Sequence, residues 1–249
     1  FLNSLFGRHN RIAGNIIAFL SMAAALGLML ALVQPVLLEG RIITYWMGNW
    51  APDANWAYGI GLEVDALSLF FGLLVTVAVM VSGVYSFTYM ARDDSQVNFY
   101  TLFLMLAGAV LGLVLSGDLF NIFVMVEIMT FTAVGLTAFR NWYEGALEGA
   151  FKYLVVGSLG STSILIGTIL IYANVHTLNM AQIAQKVAAL QAAGRLNGTL
   201  ILAFAFLFAG FATKAFLFPF HTLAANKHEN ATASVSMMIF GLMTKCGVY

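Results

Sequence analysis

Charged residues are scarce in this chain. They make up 9% of its 249 residues, while 61% are hydrophobic, and soluble domains carry about 25% charged residues. This composition excludes an ordinary soluble domain and predicts a polytopic membrane protein. The 11 basic and 11 acidic residues cancel, so the net charge gives no reason to expect nucleic acid as a partner. Partners are expected in the membrane.

Cysteine is nearly absent as well. Cys246 is the single cysteine, which excludes an internal disulfide, a cysteine-ligated iron–sulfur cluster and a cysteine-rich zinc site. The four histidines are scattered, and neither a glycine-rich phosphate loop nor a CxxC motif occurs. We therefore expect no cofactor and no resident metal. An integral redox enzyme is the weaker alternative, and a colourless purified protein would count against it.

Long hydrophobic runs are abundant. A helix needs about 20 apolar residues to cross a bilayer, and windows of this length recur between polar breaks, which predicts about seven transmembrane helices. The predicted spans cover residues 11–36, 64–90, 97–116, 119–140, 146–173, 197–223 and 230–249. The predicted fold is an all-α polytopic membrane protein.

Two connections between the spans are long. Residues 39–65 are rich in Trp and Tyr, which favour the membrane–water interface, so this segment is expected to lie along the surface. In residues 174–196, apolar positions follow helical spacing beside a polar face, which predicts a short interfacial helix. These apolar positions are Met180, Ile183, Val187 and Leu190. The chain opens without Met and without a signal peptide, so an earlier segment is expected to be missing.

Among the ionisable residues inside the predicted spans, Glu127, Lys152, Lys214 and Lys245 need an explanation. A charge at the centre of a membrane helix costs about 2.5–3.5 kcal/mol. Glu127 lies roughly 12 Å from the nearer end of its helix, too far for its short side chain to reach water. A functional role is therefore expected for Glu127, with a structural ion pair as the alternative. Lys152 lies near a helix end, where snorkelling or a structural pair is the alternative.

The segment FATKAFLFPFHTL carries a predicted helix break. Pro219 removes a backbone donor and leaves the carbonyl of Ala215 without its helical partner. Broken helices at membrane depth line cavities and form ion sites in transporters, although a simple packing kink is the alternative. His221 follows Lys214 by two helical turns and is expected to relay protons at neutral pH. A hydrogen-bonded structural histidine is the alternative for that position.

Charged residues also share one helix face around the start of the span predicted over residues 146–173. Glu144, Glu148 and Lys152 are spaced at i, i+4 and i+8 in NWYEGALEGAFKY. Lys152 is one candidate partner for the Glu127 carboxylate. We expect Glu148 to hold Lys152 whenever Glu127 releases it. A lysine removed from water can exchange a proton near neutral pH, and a carboxylate that changes partners alters this exchange. A sodium site needs several oxygen ligands, and one carboxylate at mid-span does not predict such a site.

The chain resembles the proton-conducting antiporter-like membrane subunits. The resemblance lies in DLFNIFVMVEIMTFTAVGLTAF, ALEGAFKYLVVGSLGS, TKAFLFPFH and GLMTKCGVY, in that order and spacing. It extends to YWMGNW, GLEVDALSLFF and TLNMAQIA, and so covers nearly the whole chain. The chain looks most like the D-type component of Mrp sodium/proton antiporters and its counterparts in membrane-bound hydrogenases, and the respiratory complex I subunits are wider relatives.

The resemblance implies a role for each buried charge. Glu127 corresponds to the family's glutamate on its fifth helix, and Lys152 to a lysine on its sixth. Lys214 corresponds to the lysine on the broken seventh helix, and Lys245 to the lysine on the eighth. The family fold has about 14 helices with two inverted five-helix repeats. Residues 1–96 would form the N-terminal helices and interfacial loop, and residues 97–249 the first ion-translocating repeat. A truncated N-terminal half is expected, with a natural half-length chain as the alternative.

One loop departs from the family pattern. HTLAANKHENATA keeps His221, His228 and Ala231 of the usual HxWLPDAHxxAPT. It differs where Trp, Pro, Asp and Pro are common, at Leu223, Ala225, Asn226 and Thr232. This difference motivates the alternative of a non-conducting structural subunit.

The resemblance implies a proton-translocating subunit of a multisubunit complex in the plasma membrane, of the Mrp cation/proton antiporter type. Protons would pass through Glu127, Lys214, Lys245, His221 and Lys152. The second alternative is the corresponding subunit of a redox-driven pump.

Overall fold

A computed structural model of the chain describes residues 2–7, 11–52, 59–91, 93, 95–139, 144–221 and 233–249. Helices dominate these residues. The first eight are α1 (Leu2–Gly7), α2 (Arg11–Ala31), α3 (Ala66–Tyr89), α4 (Gln96–Val114), α5 (Leu119–Thr137), α6 (Glu144–Val175), α7 (Met180–Ala192) and α8 (Gly198–Lys214). The last helix, α9, joins three segments, Ala233–Ser236, the π-helical Met237–Met243, and Thr244–Val248.

Five helical stretches of the described chain are long and apolar enough to cross a membrane. They are Ile12–Leu38, Ala66–Tyr89, Gln96–Val114, Leu119–Thr137 and Gly145–Val175. The first of these continues α2 through a π-helical turn at Gln34–Leu38. Two shorter apolar helices, Gly198–Lys214 and Met237–Val248, lie within the last two predicted spans. The prediction of an all-α polytopic membrane fold is confirmed.

The sixth predicted span ends earlier than expected. The prediction extended the helix over residues 197–223, but α8 ends at Lys214. The N–H of Leu217 donates to the carbonyl of Ala212 (2.9 Å), and that of Phe216 to Thr213 (3.2 Å). These two bonds form a Schellman motif, which closes a helix with one residue in the left-handed conformation. Phe216 takes that conformation, with φ +52°.

The connection at residues 39–65 contains two strands that were not predicted. β1 (Ile43–Trp46) pairs antiparallel with β2 (Gly61–Val64), and Ile43 lies opposite Val64. The N–H of Glu63 donates to the carbonyl of Leu115 (2.8 Å). The strand pair is therefore tied to the turn that joins α4 to α5.

The predicted interfacial helix forms as α7. Asn179 begins it, since its side-chain oxygen accepts the N–H of Gln182 (3.0 Å). Ile183, Val187 and Leu190 pack against a buried cluster that includes Leu119, Ile171 and Leu200. Met180 is exposed. The helix and its packing side agree with the sequence pattern, and its position at the membrane interface stays a prediction.

The helices that carry the site are packed closely. α6 and α8 run against each other at Gly210, where an added Cβ would lie 2.5 Å from the Cγ1 of Ile164 and 2.7 Å from the carbonyl oxygen of Gly160. Small residues allow membrane helices to approach to this distance. α4 and α5 share a buried core that includes Phe103, Leu106 and Met129. This packing brings α5, α6 and α8 together around one buried lysine.

Candidate functional site

Lys214 is the last residue of α8, and only 1% of it is exposed. Its Nζ atom donates to Thr130 Oγ1 (2.6 Å), to the carbonyl oxygen of Gly157 (2.7 Å) and to Ser161 Oγ (3.4 Å). An ammonium group has three N–H donors and no acceptor. The three oxygens of Thr130, Gly157 and Ser161, here named the lysine cage, therefore match its donors one to one.

The two hydroxyl groups of the lysine cage are oriented by their own helices. Thr130 Oγ1 donates its proton to the carbonyl of Val126 (2.6 Å) on α5. Ser161 Oγ donates to the carbonyl of Gly157 (2.9 Å) on α6. A hydroxyl that has donated its proton keeps lone pairs for acceptance. Both oxygens are thus arranged to receive a cation.

Gly157 makes the approach of the helices possible. A Cβ atom at this position would lie 2.9 Å from the Cγ2 of Thr130 and 3.7 Å from Nζ of Lys214. Any larger residue would push Thr130 or the lysine away. The absence of a side chain lets the ammonium reach the backbone carbonyl of α6.

Glu127 lies one helical turn before Thr130 on α5 and is half-buried. Its carboxylate interacts electrostatically with the Lys214 ammonium. Among the residues that the structure describes, ion pairs join Arg41 to Glu39 and Lys152 to Glu148, and Glu127 forms none with Lys214. In this conformation Glu127 acts on the lysine from a distance, while neutral oxygens hold the ammonium.

The helix break adjoins the lysine cage. Phe216 follows Lys214 by two residues, is largely buried, and packs its ring near that of Tyr153 (centroids 6.2 Å apart). Tyr153 donates its hydroxyl to Met243 Sδ of α9 (3.5 Å). A left-handed conformation costs a residue with a side chain about 1–2 kcal/mol. The break is therefore held by packing against α6 and α9. Pro219 follows it in a turn, so it does not itself end α8.

Lys152 and Glu148 are brought together on α6. Their charged groups form an i,i+4 ion pair, and both side chains are exposed. This is the pairing that the sequence predicted for the state in which Glu127 does not hold Lys152. Glu144 is the first residue of α6. Its predicted supporting role rests on spacing alone.

His221 and Lys245 are not among the residues that hydrogen-bond to Lys214 in the described part of the chain. Both are exposed on the described chain, and the imidazole of His221 stacks on the ring of Phe218 (5.7 Å). Hydrogen bonds between described residues do not link Lys214 to either of them, and the predicted polar track stays a prediction. His228 lies outside the described residues. Within the described part of the chain, no group of three His, Cys, Asp or Glu side chains could hold a metal ion.

A second buried carboxylate lies at the start of α5. Asp118 is 6% exposed, and it accepts the N–H of Asn121 (2.8 Å). Burial raises the pKa of Asp118 above its ordinary value, and hydrogen bonds to backbone N–H groups oppose this effect. Asn121 also donates to Ser116 Oγ (2.9 Å), and Asn179 bonds to the carbonyl of Gly117. This cluster joins the starts of α5 and α7.

Residues 116–249 match the family model described as NADH:quinone oxidoreductase/Mrp antiporter, TM. The chain belongs to this family. Residues 50–100 also match the model described as NADH-ubiquinone oxidoreductase (complex I), chain 5 N-terminus. The resemblance inferred from the sequence is thereby confirmed.

Two curated relatives of this NADH:quinone oxidoreductase/Mrp antiporter chain illustrate the range of the family. NADH-quinone oxidoreductase subunit N of Desulforudis audaxviator is 30% identical over 96% of this chain and 48% of its own length. The D-type component of the Na+/H+ antiporter of Alkalihalophilus pseudofirmus is 29% identical over 98% of this chain and 48% of its own length. The chain spans about half the length of these relatives.

A solved structure shows the same fold. The archaeal respiratory membrane complex named membrane-bound sulfane sulfur reductase contains a chain with a TM-score of 0.90 and 26% identity. The match covers 100% of this chain and 49% of that one. The similar chains belong to membrane complexes of several kinds, so membership of the NADH:quinone oxidoreductase/Mrp antiporter family does not by itself name one kind.

Sequence reasoning identified Lys214 and Glu127 but missed the three residues of the lysine cage. Thr130 follows Glu127 by three residues, and Gly157 and Ser161 are spaced at i and i+4 in GSLGS. The spacing alone could have placed Thr130 on the same helix face as Glu127, and Ser161 on the same face as Gly157. Hydroxyl groups in apolar helices usually bond to the carbonyl four residues earlier, so nothing in the sequence marked these as ligands of a lysine.

Proposed function

We propose that this chain is a proton-translocating, antiporter-like subunit of a multisubunit complex in the plasma membrane, of the Mrp cation/proton antiporter type. The observation that supports this most is the position of Lys214. It is a buried cation at the end of a broken membrane helix, held by neutral oxygens with a carboxylate nearby. Other membrane subunits, protons and the transported cation are the proposed partners.

The proposed mechanism uses the change of partner of a buried charge. A lysine without water can release a proton near neutral pH, and an approaching carboxylate restores the preference for the charged form. Glu127 would move toward Lys214 in one state and toward another lysine in the next. Lys152 is one such lysine, and Glu148 holds it in the conformation described above. Proton affinity at Lys214 would then alternate with the state of the complex.

Lys245 and His221 are proposed to carry the proton onward. Lys245 lies in the last segment of α9, where its neighbours Thr244 and Cys246 are buried. Water molecules would bridge the gaps between Lys214 and these two groups. A structure of the complete complex should show both side chains on one polar track with Lys214, and a Lys245 that faced lipid there would contradict this part of the proposal.

The test replaces Lys214 in the complete complex reconstituted into vesicles. Lys214→Ala should abolish proton-coupled transport while the complex still assembles. Lys214→Arg should also fail, because a guanidinium stays protonated, with a pKa above about 12. Lys186→Arg is the matched control. Lys186 lies on α7, outside the lysine cage, and donates to the carbonyl of Val175 (3.0 Å), a bond that an arginine can also donate. Full activity of Lys214→Arg would show that proton release at this position is unnecessary.

A redox-driven pump is the second candidate. It is favoured by the relative from an NADH-quinone oxidoreductase and by the similarity to the membrane-bound sulfane sulfur reductase. The same buried residues would serve such a complex, so the other proteins of the complex decide between the two. A non-conducting scaffold is distinguished by the test above, because it would tolerate Lys214→Ala without loss of transport.

A further inference from the structure

We infer that Thr130 is a positioning residue that competes with Glu127 for the ammonium group of Lys214. This inference rests on the proposed role of Lys214 as the proton-exchanging residue. Both competitors lie on α5, and each offers an oxygen to the same cation. Thr130 offers a neutral hydroxyl and Glu127 offers a carboxylate.

The lysine cage is complete without Glu127. The three N–H groups of the Lys214 ammonium have three oxygen partners, at 2.6, 2.7 and 3.4 Å. An ammonium has no further donor. Lys214 can therefore bond to Glu127 only if it gives up at least one of these partners.

Thr130 is the partner that Lys214 gives up when it bonds to Glu127. Gly157 and Ser161 belong to α6, whereas Thr130 and Glu127 belong to α5 and are three residues apart. Side chains at i and i+3 lie on one face of a helix, with Cβ atoms about 5–6 Å apart. A rotation of the lysine side chain along α5 thus exchanges Thr130 for Glu127 and leaves room for the contacts with α6.

Exchanging Thr130 for Glu127 changes how readily Lys214 releases its proton. An opposite charge close to an ammonium favours the charged form, so a hydrogen bond to the Glu127 carboxylate opposes proton release. In the lysine cage the same ammonium has only neutral acceptors. Thr130 therefore favours the arrangement from which a proton leaves more easily.

Other titratable groups on the helices around Lys214 do not take this role. Tyr153 on α6 and Cys246 on α9 are uncharged at neutral pH. Glu148 and Lys152 of α6 are exposed and pair with each other. Lys245 on α9 is exposed, and it carries the same charge as Lys214. Within the described chain, Glu127 is thus the carboxylate that faces the lysine.

The experiment measures the pH dependence of coupled transport by the complete complex in vesicles. Thr130→Val keeps the shape of the side chain and removes the hydroxyl. We expect its profile to move to higher pH by about one unit, since the lysine then favours Glu127. Thr130→Ser should restore the wild-type profile. Thr132→Val is the matched control, because Thr132 is buried on the same helix and donates to the carbonyls of Ile128 and Met129.

A double variant tests the competition itself. If Thr130 acts by keeping the lysine from Glu127, the residual proton movement of Thr130→Val with Glu127→Gln should lack the alkaline shift. Thr130→Ala serves if Thr130→Val fails to assemble, and the same shift is expected. A wild-type profile in Thr130→Val or Thr130→Ala, or an equal shift in Thr132→Val, would overturn the inference. The proposed function would stand in both cases if Lys214→Ala is inactive, and it would fall separately if Lys214→Ala transports normally.

Discussion

The lysine cage explains at the level of single residues how Lys214 stays inside a membrane helix. A central charge costs about 2.5–3.5 kcal/mol. A hydrogen bond to a charged group contributes about 1.5–3 kcal/mol, and Lys214 makes three such bonds. The bonds are large enough to offset the cost without a direct ion pair. The lysine is therefore stable in this position and remains available to a carboxylate that approaches it.

Unlike Lys214, whose hydrogen bonds offset its cost in the membrane, Glu127 forms no ion pair with the other charge of the site among the described residues. It is half-buried and acts on Lys214 electrostatically. Its cost in the membrane is explained if its pairing with lysines can be exchanged. We predict that Glu127→Gln, which keeps the shape and removes the charge, leaves the complex folded but strongly reduces coupled transport. Glu127→Asp should retain part of the activity, because the charge remains on a shorter side chain.

Transport assays between about pH 6 and pH 9, around the range in which histidine and perturbed lysines titrate, check this prediction. Glu39→Gln is the control, since Glu39 is an exposed carboxylate that pairs with Arg41 outside the candidate spans. A Glu127→Gln complex with wild-type transport across this range would reduce Glu127 to a structural residue.

The charged members of the site could be predicted because charge is rare in an apolar helix. Lys214 and Glu127 are conspicuous in sequence for that reason. Thr130, Gly157 and Ser161 could not, because threonine, glycine and serine are ordinary in membrane helices. Their role depends on contacts between α5, α6 and α8 that spacing along one helix does not contain.

The transmembrane helices were predictable from hydrophobic length, whereas their ends were not. The end of α8 depends on Phe216 in a left-handed conformation, a position that usually carries glycine or asparagine. Sequence reasoning therefore placed the break at Pro219, the familiar signal. β1 and β2 were missed because each is only four residues long.

The aspartates that cap α5 and α3 have pKa shifts of opposite direction, which predict opposite effects on stability. Asp118 begins α5 and Asp65 begins α3, and each accepts a backbone N–H three residues later. Burial raises the pKa of Asp118, whereas hydrogen bonds from the backbone and side chain of Ser68 lower the pKa of Asp65. A raised folded-state pKa lowers stability as pH increases through it, and a lowered one adds stability above the ordinary value of about 3.9.

Asparagine keeps the helix cap and removes the charge at both sites. Asp118→Asn should therefore raise the midpoint of thermal unfolding at neutral pH, with a gain that shrinks as pH falls toward about 4. Asp65→Asn should lower the midpoint at neutral pH, with a loss that shrinks at more acidic pH. The measurement is the difference in midpoint between variant and wild-type complex across pH. A gain at Asp65, or a loss at Asp118 that grows with pH, would contradict the assignment.

The surface of the described chain is strongly apolar. Large side chains such as Phe204, Ile201 and Leu28 are more than half exposed, as expected for helices that face lipid. The similar chains are about twice as long.

The force that drives proton movement distinguishes an antiporter from a redox-driven pump. In an antiporter, an imposed cation gradient alone should move protons in the opposite direction. A redox-driven pump instead needs an electron donor and subunits that carry redox groups. We expect vesicles with the purified complex to change their internal pH when a sodium gradient is imposed, without any electron donor. The complex with Lys214→Ala, which should assemble but not exchange protons, is the matched control. Mass spectrometry should identify the co-purifying subunits, and visible absorption should show no haem, flavin or iron–sulfur bands. Proton movement that required an electron donor, together with such bands, would instead favour the redox-driven pump and contradict the Mrp type.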